Sequence, residues 1–116
     1  MAFGELERAR IDRALEGFMK KHRPSPHIRP ELDLKSRVVH QSIELYEVRP
    51  AWRGTPGETM ENPIAKIRFV RTQRLWHLFW MRQDLKWHSY EPAPVTDSLE
   101  KALAVVSEDA NACFFG

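Results

Sequence analysis

Arg82, Asp84, Lys86, His88, Tyr90 and Glu91 bring together in one short stretch the side-chain types that acid–base and anion-binding chemistry needs. An imidazole exchanges a proton near neutral pH, a carboxylate can orient it, and a guanidinium or ammonium can hold a phosphate or carboxylate. The same residues can equally close a turn. Arg82, Asp84 and Lys86 would then form a local ion pair, with the His88 and Tyr90 rings packed and hydrogen-bonded through their tips. A second group is Lys66 and Arg68, two residues apart and therefore on one side of a strand. With Arg71, Arg74 and rings from Trp76, Trp80 or Trp87 they supply what single-stranded nucleic acid requires, cations for phosphates and flat rings for bases. No RNP-like pattern accompanies them. Trp52 sits in a proline- and glycine-rich stretch, where it either folds back as a lid or meets a partner. His22 and His27 have the makings of half a metal site, but no carboxylate or cysteine nearby completes it. No metal and no cofactor is expected.

These groups need elements to position them. Gly4 to His22 has the apolar spacing of an amphipathic helix, through Leu6, Ile11, Leu15, Phe18 and Met19, and Arg23-Pro24-Ser25-Pro26 ends it. Gly17, inside that helix, marks a close approach of another element. Pro24, Pro26 and Pro30 make an extended connector. Val38 to Val48 is expected as the first strand, and Arg49 to Pro63 as a loop, because its prolines and glycines cannot sustain a ladder. Ile64 to Arg71 is the second strand, Leu75 to Arg82 the third and Lys86 to Tyr90 the fourth. The third is apolar on both parities, which predicts cover on both faces. A turn over Gln83–Leu85 sets Arg82 opposite Lys86, Trp80 opposite His88 and Leu78 opposite Tyr90; a loop one residue longer or shorter changes every pair. Glu91-Pro92-Ala93-Pro94 stops the last strand. A closing helix then starts with Asp97 as N-cap and Glu100 at the third helical position, carrying Leu99, Leu103 and Val106 as its core stripe. Its Glu108-Asp109 end calls for a basic neighbour.

Composition sets the outer bounds. With 116 residues, 42% hydrophobic and 29% charged, the chain suits one globular domain, residues 1–116. The net charge of +2 is too small to demand a polyanion, but its distribution is uneven. Ile64 to Tyr90 holds six cations and one carboxylate, whereas Glu91 onward holds five carboxylates and one cation. A single cysteine, Cys113, allows no internal disulfide and suits a reducing compartment. No run approaches the roughly 18 apolar residues that cross a bilayer, so a cytoplasmic protein without membrane association is expected. Walker-type, dinucleotide-binding, HExxH, GxSxG and CxxC patterns are all absent.

Glu47-Val48-Arg49-Pro50-Ala51-Trp52, Pro63-Ile64-Ala65-Lys66, the WMRxDLKWHxYEP pattern ending at Pro92, and Cys113-Phe114-Phe115-Gly116 together resemble a family of small bacterial proteins catalogued only as a domain of unknown function. The resemblance covers about the last two thirds of the chain. It implies a bacterial cytosolic protein and brings no activity, cofactor or catalytic residue with it.

The expected architecture is α+β, a four-stranded antiparallel meander flanked by an N-terminal and a C-terminal helix. The function expected is a non-enzymatic binding or assembly module using an aromatic-rich sheet, with a homodimer as one way to close the face that the helices leave open. The alternatives are a nucleic-acid-binding protein, or a small ribonuclease-like acid–base enzyme using Arg82, His88 and Tyr90.

Overall fold

The computed structural model describes residues 3–51 and 53–115. Helix α1 spans Glu5–His22, and strands β1 to β6 span Asp33–Val39, Ser42–Pro50, Thr59–Val70, Leu75–Met81, Trp87–Ser89 and Val95–Thr96, followed by helix α2 at Leu99–Glu108. The α+β class and the flanking helices are as expected, but the sheet is larger than a four-stranded meander. It runs antiparallel in the order β1-β2-β3-β4-β5, with the short β6 also pairing with β4.

The difference has three local causes, of which the short β6 after Pro94 is one. The stretch expected as one strand from Val38 to Val48 is a hairpin, in which Val39 pairs with Ser42 and the chain reverses at His40-Gln41. His40 adopts a left-handed φ of 54°, unusual for a residue with a Cβ, and none of the usual turn residues announces the reversal. The first two residues of the stretch expected as a loop, Arg49-Pro50, close β2, and its last part, Thr59 to Pro63, is the first part of β3. There the ladder shifts register, pairing Leu45 with Ala65 and Tyr46 with Pro63. Ile64 is the extra residue of this β-bulge, and a bulge is where a strand accommodates proline. Ile64 and Ala65 are both buried as a result.

Both helices lie on one face of the sheet. Ile11, Leu15 and Phe18 of α1 and Leu99, Ala102, Leu103 and Val106 of α2 form one core with Leu34, Ile43, Leu45, Ile67 and Leu78. Gly17 faces open space rather than a neighbouring element. The β4 strand is therefore covered on one face only: Leu78 is fully buried, whereas its neighbours His77 and Phe79, on the opposite face, stay partly exposed. That corrects the expectation of cover on both faces.

The far edge of β4 is shared. The β5 strand pairs with its end at Phe79–Met81 and β6 with Trp76–His77. Between them Glu91-Pro92-Ala93-Pro94 loops out, while Tyr90 N–H donates to Leu78 O at 2.9 Å and Leu78 N–H to Pro94 O at 3.0 Å. Ser98, not Asp97, caps α2, its hydroxyl accepting the Lys101 N–H at 3.2 Å. At the other end Asp109 takes a left-handed φ of 45°. Its carboxylate accepts the amides of Phe114 and Phe115, both at 2.9 Å, so the backbone of the tail meets it in place of a basic neighbour. Phe114 is buried there against Tyr90. Among the described residues no helix is long and apolar enough to cross a membrane.

Candidate functional site

The turn between β4 and β5 has the three-residue form that sets Trp80 opposite His88 and Met81 opposite Trp87. Arg82 N–H donates to Lys86 O at 3.2 Å, and Leu85 N–H to Arg82 O at 2.9 Å, with Leu85 at a φ of 61°. Asp84 organises the turn. One carboxylate oxygen accepts the Lys86 amide at 3.0 Å and the other lies 2.8 Å from His88 Nε2. The hydrogen bond from His88, helped by that from the Lys86 amide, holds the Asp84 carboxyl below the usual carboxylate range. The Arg82 guanidinium lies over the Trp80 ring, 5.5 Å from its centroid, and Lys86 is exposed.

Tyr90 does not join them. It is only 2% exposed, its ring 4.8 Å from that of Phe114 and its hydroxyl accepting Asn111 Nδ2–H at 3.1 Å. Asp84 and His88 thus come together as a solvent-open pair, Arg82 stays beside it on Trp80, and Tyr90 belongs to the core.

The face of the sheet away from the helices gathers a different set. Register places Ser42, Arg68 and His77 in one row across β2, β3 and β4, and Glu44, Lys66 and Phe79 in the next. Met81 and Trp87 pair on the same side. Phe79, Met81 and Trp87 are half-buried and lie outside the core that the helices cover. On β1 and β2, Arg37 binds Glu44 and Glu61, both at 3.0 Å, and its guanidinium lies 4.4 Å from the centre of the Tyr46 ring. Among the described residues neither Lys66 nor Arg68 has a carboxylate partner. They line a hollow of about 290 Å³ with His40, Ser42 and Glu44, at the β1–β2 turn.

Lys66 and Arg68 are legible in the sequence as a stripe; Ser42, His77 and Phe79 are not, because only the pairing of three strands puts them alongside. The stripe does not extend to Arg71. That side chain leaves the face for a two-pronged bond with the Glu7 carboxylate, at 2.9 and 3.1 Å, near the start of α1. A separate hollow of about 240 Å³ lies there, over the stacked rings of Phe3 and Trp76. Trp52 lies outside the described residues.

The two histidines of the connector part company. His22 ends α1 with Nε2 2.7 Å from Ser107 Oγ and its ring stacked on Phe115, while His27 is exposed. Among the described residues no three of His, Cys, Asp and Glu come together as metal ligands. Burial and the nearby Asp109 push the Cys113 thiol upward, away from the reactive thiolate.

No curated protein and no solved structure is similar enough to the chain to count as a match. The model of one family does match, over residues 3–116, and by that match the protein belongs to the family described as a domain of unknown function, DUF3024.

Proposed function

We propose that the protein is a non-enzymatic binding or assembly module whose working surface is the helix-free face of the sheet. The observation that carries this is the row of Lys66 beside Phe79, next to Arg68 beside His77, on a face that neither helix covers. A half-buried ring next to an unpartnered cation offers a ligand both flat apolar contact and charge, and neither group is needed to fill the core. The polar residues of the β4–β5 turn support catalysis less well. Asp84 is used in closing the turn, and Tyr90 is enclosed. A cytoplasmic, reducing setting suits this module, since its one cysteine is a thiol.

The test is residue-resolved NMR of the labelled protein, diluted in steps and then titrated with a panel of single-stranded oligonucleotides, duplexes and anionic vesicles. Shift changes confined to the amides around Ser42, Lys66, His77, Phe79 and Trp87 are expected on dilution or with at least one probe. Changes centred instead on Arg82–His88, or no change under any condition, would overturn the reading.

A further inference from the structure

Resting on that reading of the face, we infer that its partner is single-stranded nucleic acid, with phosphate held at Lys66, Arg68 and Ser42 and bases laid on His77, Phe79 and Trp87. Charge is the first argument. The carboxylates of this face, Glu44 and Glu61, are both engaged by Arg37, whereas Lys35, Lys66 and Arg68 have no carboxylate partner among the described residues. The face therefore keeps a surplus of cations for an anion from outside.

The hollow at the β1–β2 turn gives that anion a place. Ser42 is 8% exposed, and its hydroxyl makes no hydrogen bond to any described residue, yet among the described residues no buried side-chain oxygen is left unpaired. The hydroxyl thus keeps contact with solvent, and its residue lines the hollow together with Arg68, which pairs across from Ser42, and Lys66, which pairs across from Glu44. A hydroxyl, an ammonium and a guanidinium sharing one hollow make a phosphate-binding set.

The rings decide which phosphate polymer fits. His77 is the cross-strand neighbour of Arg68 and Phe79 that of Lys66, while Trp87 lies diagonally beyond on β5. Alternate residues on a strand stand about 6.8 Å apart, twice the antiparallel rise. Bases in a duplex rise by only about 3.4 Å and keep their faces stacked on one another. An unstacked strand can put its bases on separate rings while its phosphates meet the adjacent cations. A second copy of the chain fits less well, since two faces that each carry a surplus of cations repel when brought together.

Fluorescence anisotropy tests this with a labelled single strand of about 12 nucleotides, as RNA and as DNA, beside its duplex and vesicles of phosphatidylglycerol. The single strand is expected to bind more tightly than the duplex, losing roughly tenfold between about 50 and 200 mM salt as phosphate contacts are screened. Lys66→Glu with Arg68→Glu should abolish binding. Phe79→Leu, which keeps an apolar side chain on the strand, should weaken binding without changing the salt slope. Arg13→Glu, on the exposed side of α1, should leave it unchanged. Equal binding of duplex, or equal loss in Arg13→Glu and in the Lys66→Glu, Arg68→Glu double variant, would overturn the inference. If the single strand fails but NMR shifts on the face appear with vesicles or on dilution, this inference falls and the binding face stands. If the face stays silent to every probe, both fall.

Discussion

His22 Nε2 and Ser107 Oγ lie 2.7 Å apart and tie the end of α1 to the end of α2, although 85 positions separate them in the chain. Burial, with a contribution from the Lys21 charge, lowers the pKa of His22, so the folded protein favours the neutral ring. The Phe115 ring stacks on it and the Phe18 ring lies against it; Lys21 is the charge that acts on it. As pH falls below the ordinary histidine value of about 6.5, the unfolded chain takes up the proton first. Stability from this site is therefore full above that pH and declines as pH drops toward the lower folded value. Urea midpoints measured from pH 8 to pH 5 should show this decline, and His22→Gln should flatten it.

Leu78 and Phe79 are chain neighbours on opposite faces of β4, and their truncations should separate core from surface. Leu78→Ala empties a fully buried site and is expected to cost about 2–5 kcal/mol. Phe79→Ala loses a cross-strand contact on the open face and should cost about 1 kcal/mol. Chemical denaturation of the two variants gives the comparison, and equal costs would argue that the open face is a second core.

Gly17 lies in α1, facing solvent, and a Cβ placed on it meets nothing within 4 Å. Gly17→Ala should therefore stabilise the protein by about 0.5–1 kcal/mol through helix propensity alone. A lower melting temperature would show that something packs there.

Asp33, almost fully buried at the start of β1, takes two hydrogen bonds from the Arg23 guanidinium, at 2.9 and 3.0 Å. These bonds hold its carboxyl below the ordinary range. The stabilisation they give is present above the unfolded carboxylate pKa of about 4 and is lost as pH falls through the folded value. Asp33→Asn should lower the urea midpoint at pH 7 and flatten the acid limb of the stability curve.

Much of the architecture was legible wherever sequence spacing and geometry agree. The register of the β4–β5 hairpin follows from a three-residue turn, and Trp80 does face His88. Both helices follow from apolar spacing. The β1–β2 hairpin is not legible in the sequence because His40 reverses the chain without the glycine or asparagine that usually signals left-handed backbone. The start of β3 is hidden in the sequence because prolines ordinarily break a ladder, while the bulge at Ile64 absorbs Pro63. The candidate face followed the same rule. Lys66 and Arg68 share a strand and could be read from it; Ser42, His77 and Phe79 come from other strands and required the ladder. Tyr90, grouped by sequence with His88, belongs to the core because the tail at Phe114 closes over it.

The way the sheet ends bears on how the protein survives at high concentration. At one margin β1 carries Lys35 and Arg37; at the other, Pro92 and Pro94 loop out between β5 and β6. Charged side chains and prolines at a margin discourage a foreign strand from docking there. Neither edge of the sheet is a good template for a growing fibril, so a broad, ring-bearing surface can stay exposed without seeding aggregation.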